Sequence, residues 1–362
     1  MLYYIDESVA MSAKNNDLQV IDVLKDFEYA WRKGQCLLGA SRRTFSMLKE
    51  IKSLEEYSLI ESYAQGIASL YASLDFFVVL ASGNGNVTVM QQFVNKYVVM
   101  DIASFSDPKQ ICLNYLVCEN VRDCDFYIYG TKYLLANLLG RSYHLNISEG
   151  NGGGGTIIEV LKKYAEYSCL AICDSDKKYP LCKKGKTLTS VLEYFERGHA
   201  PRMWMQALDA HEVENLIPLK VLESVRKNKT HKYRMKPLIL VDSSNFGDLF
   251  LKHFDFKKGF REQLFVEINE QDPSFKDICK GVLELLGKSP REINKILLYG
   301  KESSKDLISG FGEDIFNETL NYLQNNVINP SFLKLSDYQQ KDWNSISKKV
   351  WSLGCAMVPR RL

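Results

Sequence analysis

Apolar residues along the chain recur with two periods, and the switches between them lay out an alternation of strands and helices. Residues 2–6 read as a strand, and Leu18, Ile21, Leu24, Phe27 and Trp31 fall on helical spacing, so a helix is predicted over 17–31 with Gly34 stopping it. Cys36-Leu37-Leu38 follows as a short strand, and Ser41 caps the next helix. Ser53 with Glu56 three residues on has the pattern of a capping box opening another. Residues 75–80 and 97–102 predict two more strands, separated by a Gly83-Asn84-Gly85-Asn86 turn and one helix. Asp6 and Glu7, at the end of the first strand, read as a solvated turn.

Tyr115-Leu116-Val117-Cys118 opens a second alternation. It runs through a helix around 124–139, a strand at 143–147, a glycine-rich loop, a helix at 156–167, a strand at 169–173, a lysine-rich loop, a helix around 187–197 and the segment 211–216. Pro218 then falls in the first turn of a further helix. Short connections between strands and helices predict a parallel sheet covered by helices. Leu238-Ile239-Leu240-Val241 reads as one more strand ending in Asp242, after which the pattern turns helical, with a start at Ser289-Pro290 and a last helix around 338–353. The expected organisation is an N-terminal α/β domain (1–110), a central α/β domain with a parallel sheet (111–237) and a mostly helical C-terminal domain (238–362).

Composition narrows this little. A length of 362 residues suits two or three domains, and 12% aromatic residues argue against extended disorder. No apolar run approaches the roughly 18–20 residues that span a bilayer, and the first residues lack a basic stretch ahead of an apolar one. A cytoplasmic protein without a membrane partner is expected. The nine cysteines show no Cys-x-x-Cys pairing, which predicts reduced core residues rather than a zinc site.

The candidate chemistry centres on Leu170-Ala171-Ile172-Cys173-Asp174-Ser175-Asp176, an apolar run ending in two carboxylates two residues apart. In a strand, such residues share a face, which would put Asp174 and Asp176 together at the C-terminal sheet edge. Glu119 and Asp123 lie upstream, and Glu212 and Glu214 downstream. Carboxylates of this kind are ligands for Mg²⁺ or Mn²⁺, and paired metal ions promote in-line displacement at phosphorus.

The order of these motifs resembles the TOPRIM catalytic domain: a strand ending in Glu with Asp four residues on, a strand ending in Asp-x-Asp about 50 residues later, then Glu-Asn, here Glu214-Asn215. The resemblance covers about residues 113–220 and is nearest to OLD-type (overcoming lysogenisation defect) and stand-alone TOPRIM nucleases of phage-defence systems, which place a glycine-rich turn before the Asp-x-Asp strand, here Gly152-Gly153-Gly154-Gly155. It implies a Rossmannoid parallel sheet. Glu119, Asp174 and Asp176 would be catalytic, and Glu119, Asp123, Asp174, Asp176, Glu212 and Glu214 would hold Mg²⁺ or Mn²⁺. The glycine that follows the first glutamate in the family is Asn120 here, a residue that also tolerates positive φ. Ser148-Glu149-Gly150 is a rival for the first motif, with no acid four residues beyond Glu149.

The glycine cluster is not a Walker A motif, since no Gly-Lys-Ser/Thr follows it, and it reads as a turn bringing backbone close to the site. Two basic clusters bracket the acids: Lys177, Lys178, Lys183 and Lys184, then Lys227, Lys229 and Lys232 beside Tyr233. Such clusters suit a phosphate backbone. His211 reads as structural. The expected function is a metal-dependent nuclease acting on DNA or RNA, with the resemblance adding a role in bacterial antiviral defence beside an ATPase or sensor partner. The rival expectations are a non-catalytic subunit that binds nucleic acid or a partner, favoured by Asn120, and an RNA-maturation nuclease.

Overall fold

The computed structural model describes residues 1–67, 73–83, 96–135, 142–328 and 330–359. Two compact units are present, each drawing on separate stretches of chain: Met1–Ile172, Val191–Gln206 and Ser345–Leu362 make the first, and Cys173–Ser190 with Ala207–Asn344 the second.

The first unit is α/β. Leu2–Ile5 (β1), Leu37–Ala40 (β2), Phe76–Ala81 (β3) and Lys96–Asp101 (β4) form a parallel sheet in the order β2-β1-β3-β4. All six residues of β3 are buried, as expected where a parallel strand is covered on both faces. Phe76, one of them, stacks on Trp204 with ring centroids 3.9 Å apart. Each such large apolar side chain contributes about 1.5–3 kcal/mol through burial. Asp6 is no solvated turn. It is buried, caps the Glu7–Lys14 helix and accepts a hydrogen bond from the Ser8 amide at 3.0 Å. The helix expected from Ser53 starts instead at Tyr57, after a 3₁₀ turn at Lys52–Leu54. The turn and helix predicted between β3 and β4 fall, beyond Gly83, outside the described residues, as does the end of the helix predicted to reach 139.

Asn114–Cys118 (β5), Tyr143–Leu145 (β6), Ser148–Asn151 (β7), Ser168–Cys173 (β8) and Met203–Ala207 (β9) follow. Four of them make a second sheet, β7-β5-β8-β9, lying in the first unit except for the last residues of β8 and β9. β5 pairs in parallel with β7 and with β8, so that Leu116 lies opposite both Glu149 and Leu170. The strand predicted at 143–147 exists as β6, but it pairs antiparallel with Cys355–Met357. The place in the sheet beside β5 goes to β7, whose Ser-Glu-Gly-Asn sequence carries no apolar signal.

The second unit is mostly helical beyond its first loop. Leu219–Val225, Lys229–Asp242, Gly247–Lys252, Glu262–Gln271, Pro273–Leu285, Pro290–Tyr299 and Ile315–Asn325 are helices, and Gly259–Arg261 (β10) pairs antiparallel with Asp306–Ser309 (β11). Residues 238–241 are not a strand. They end the Lys229–Asp242 helix, which buries His231, Met235, Leu238 and Val241 on one helical stripe. Pro218 takes the N-cap position rather than the first turn, while Ser289 caps its helix in a capping box with Glu292 as expected. No described helix is long and apolar enough to cross a membrane.

Candidate functional site

β8 ends at Cys173, so Asp174 and Asp176 both lie beyond the strand. The expectation that strand alternation puts them on one face therefore fails. The backbone leaves extended geometry, and Asp176 sits at φ +54° in the left-handed region, a conformation that costs a non-glycine residue roughly 1–2 kcal/mol. Surrounding hydrogen bonds hold it there. The Asp176 amide donates to the His211 carbonyl (2.9 Å), and the Gly185 amide donates to the Ser175 carbonyl (3.0 Å). Ser175 Oγ donates to the Ala210 carbonyl at 2.6 Å, and the Lys177 carbonyl is bonded by His253 Nδ1 at 2.8 Å. Burial drops His253 to about 4, so at neutral pH its ring is uncharged. Gly185 leaves room for the acid, since a Cβ there would lie 1.8 Å from Asp176 Oδ2.

The Glu212–Asn215 segment is fixed just as closely. Asn215 is fully buried; its Oδ1 accepts the Glu212 amide (3.0 Å), and its Nδ2 donates to the carbonyls of Leu251 (2.7 Å) and Phe254 (2.9 Å). Glu-Asn is thus half acid, half scaffold: Asn215 builds the turn that presents Glu212 and Glu214.

Lys257, which no sequence motif singled out, is the cation of this cluster. Its Nζ lies 2.8 Å from Glu212 Oε2 and 3.3 Å from Glu214 Oε1. Burial works against its charge, but Glu214 and Glu212 outweigh that and keep it protonated. One ammonium does not offset the carboxylates around it. Burial, reinforced by the charge of Glu212, lifts Glu214 to about 7 despite Lys257. Burial and Glu212 also raise Asp176. For Glu212 burial acts upward, and His211 and Lys257 outweigh it and hold the carboxyl low. His211 is buried, with neither ring nitrogen in a hydrogen bond. Burial lowers its pKa in spite of Glu212, Asp255 and Asp176, and its Nε2 lies 3.7 Å from Glu212 Oε1.

The structure thus brings Asp176, Glu212 and Glu214 into one electrostatic cluster within the second unit. Asp174 lies half-buried just past β8. Glu119 belongs to the first unit, directly after β5. Asn120 is the N-cap of the Val121–Leu134 helix at φ −131°, so the turn needs no positive φ. Asp123 serves that cap: its Oδ2 accepts the Asn120 amide at 2.9 Å. Glu149 lies exposed in β7, where burial and Asp125 raise it. In the glycine cluster, Gly152 meets the end of β5, its amide donating to the Cys118 carbonyl at 2.7 Å. A Cβ there would strike that same carbonyl at 2.6 Å.

Of the basic residues, Lys177 donates from Nζ to the Pro180 carbonyl (3.1 Å), whereas Lys178, Lys183 and Lys184 are exposed. Lys227, Lys229 and Lys232 are exposed at and within the start of the Lys229–Asp242 helix, beside the exposed ring of Tyr233. Reversing the charge of all three to Glu is expected to weaken nucleic-acid binding and to flatten the slope of log affinity against log salt by roughly 0.7–0.9 for each phosphate no longer neutralised. Binding isotherms at several salt concentrations measure this, and an unchanged slope in a folded variant assigns the run to solvent.

Among the described residues no three His, Cys, Asp or Glu side chains are grouped to hold a metal ion, and the cysteines are free. The donors of the Asp176–Glu212–Glu214 cluster are carboxylate oxygens, the donor type that suits a hard divalent cation. No family model, curated protein or solved structure matches the chain.

Proposed function

We infer that the protein is a nuclease of TOPRIM type, hydrolysing phosphodiester bonds of DNA or RNA, with the Asp176–Glu212–Glu214 cluster as part of its active site. The observation that carries this is geometric: Glu212 and Glu214, presented by the turn that Asn215 builds, converge within 3.3 Å of one ammonium, and Asp176 interacts electrostatically with Glu212. Buried carboxylates are paired or coordinate a metal, and here a single ammonium is shared by Glu212 and Glu214. Asp176, Glu212 and Glu214 would hold Mg²⁺ or Mn²⁺, with Asp174 added by the resemblance. When bound, such an ion stabilises charge on the attacking and leaving oxygens of the phosphodiester. Lys257 and Lys178 bring positive charge to acids that would otherwise repel phosphate. The resemblance extends the reading to an effector of bacterial antiviral defence working beside an ATPase or sensor protein.

A second reading keeps the nucleic-acid binding and drops the catalysis. The Lys257 ammonium, within 3.3 Å of both Glu212 and Glu214, favours it, because it occupies oxygens a metal would need.

Incubation with plasmid DNA and with tRNA, in Mg²⁺ or Mn²⁺ and in EDTA, separates the two. The nuclease reading expects metal-dependent cleavage that falls by at least about 100-fold in Asp176→Ala and Glu214→Gln, since losing a ligand costs more than the roughly 10–100-fold of losing a group that only orients one. Glu119→Ala and Asp174→Ala test the resemblance in the same assay. Cleavage that persists in EDTA, or at the wild-type rate in the folded variants, places the activity elsewhere.

A further inference from the structure

The second unit contains a cavity of about 160 Å³ lined by three cationic side chains, Lys178, Lys258 and Arg261. Among the described residues neither Lys178 nor Lys258 is in an ion pair, and Arg261 touches Asp306 only through Nε, at 3.3 Å. The lining also holds two acids, which accept neutral donors: Asp255 Oδ1 accepts the amides of Lys257 (3.0 Å) and Lys258 (2.7 Å), and Glu267 accepts the Tyr179 hydroxyl (3.0 Å), so three cations face two carboxylates. A smaller recess sharing Lys178 is walled by Phe250, Phe260 and Phe275. Lys178 follows Asp176 by two residues and acts on its carboxyl electrostatically, so this cavity and the acidic cluster share one loop.

We propose that this cavity binds a phosphoryl group of a nucleic-acid strand and thereby positions the strand at the acidic cluster. The proposal rests on the nuclease reading for its ligand. Three side-chain cations around one small space match the charge and oxygen-rich surface of a phosphate. The volume is small beside the ~300–1,000 Å³ of pockets that enclose a whole small molecule, which suits one phosphate with its sugar rather than a nucleotide with its base. The phosphate could be the strand's end or an internal one, and the chemistry of recognition is shared.

The test is fluorescence anisotropy in EDTA, where binding is read without cleavage, using a 5′-phosphorylated and a 5′-hydroxyl oligothymidylate. The variant is Lys258→Gln with Arg261→Gln, both positions being exposed, with thermal melting to establish folding. The double variant is expected to bind at least tenfold more weakly, with the salt slope reduced by roughly 0.7–1.4, the equivalent of one or two single-strand phosphates. Lys258→Arg is expected to retain affinity. A loss confined to the phosphorylated oligomer identifies a terminal phosphate, and an equal loss for both identifies an internal one. Unchanged affinity in the folded double variant overturns the proposal, as does an equal loss in a Lys280→Gln, Lys295→Gln control of the same net charge, both positions being exposed on helices that contribute nothing to the cavity lining. Neither result bears on the nuclease reading, which the metal-dependent cleavage assay decides by itself.

Discussion

At pH 8, Glu214→Gln is expected to be more stable than the wild type by about 1–3 kcal/mol, with the difference vanishing near pH 4.5. Burial lifts the Glu214 carboxyl to about 7, while in the unfolded chain it titrates near the ordinary glutamate value. Between those two pH values the folded state binds more protons than the unfolded one, so stability falls as pH rises. The favourable contribution of the protonated acid is complete below the unfolded pKa and is lost as pH passes through about 7. Each unit of displacement corresponds to about 1.4 kcal/mol, and the coupling of Glu214 to Glu212 and Lys257 argues for the lower part of that range. Gln keeps the shape and a polar end near Lys257 but never has to ionise. Urea melts of both proteins at pH 4.5, 6, 7 and 8 in EDTA test this. Parallel stability curves would show that Glu214 titrates as an ordinary carboxyl.

That sensitivity was only half legible in the chain. Glu214 was visible as an acid near Asp-x-Asp, and the long apolar runs were visible as strands, because β3 and β8 bury every residue and so cannot hide their signal. β7 was invisible for the opposite reason. It joins β5 through backbone hydrogen bonds while its side chains stay largely polar and exposed. The run at 238–241 misled because four consecutive apolar residues fit a strand or a helix equally well, and only the wider spacing of His231, Met235, Leu238 and Val241 decides. Strand alternation does not place Asp176, because it holds only within a strand and β8 stops three residues earlier. Lys257 could not be found at all. It stands in a Lys-Lys-Gly stretch between Phe256 and Phe260, and nothing in one sequence links it to acids more than 40 residues upstream.

Lys257→Met is expected to destabilise the protein by about 2–4 kcal/mol at pH 8, because removing one partner of a buried ion pair leaves the other charge uncompensated. The low exposure of both acids supports a large effect: side-chain exposure is 15% for Glu212 and 4% for Glu214, while the remaining 22% for Lys257 keeps it below the extreme. Met holds most of the volume, so the loss reports charge rather than a cavity. The deficit should shrink as pH falls, since the two carboxyls without their ammonium take up protons more readily and the protonated pair no longer repels itself. A divalent cation then discriminates between the two functional readings. If the acids are metal ligands, Mg²⁺ or Mn²⁺ at about 100 times its dissociation constant should restore about 2.7 kcal/mol to Lys257→Met. The same addition should do nothing for a variant that also carries Glu212→Gln and Glu214→Gln. Recovery of that kind makes Lys257 the resident counter-charge of a metal site, displaced or shared when the ion enters. Melting curves of Lys257→Met that ignore both ions would leave the lysine as the permanent partner of these acids and favour the binding subunit over the nuclease.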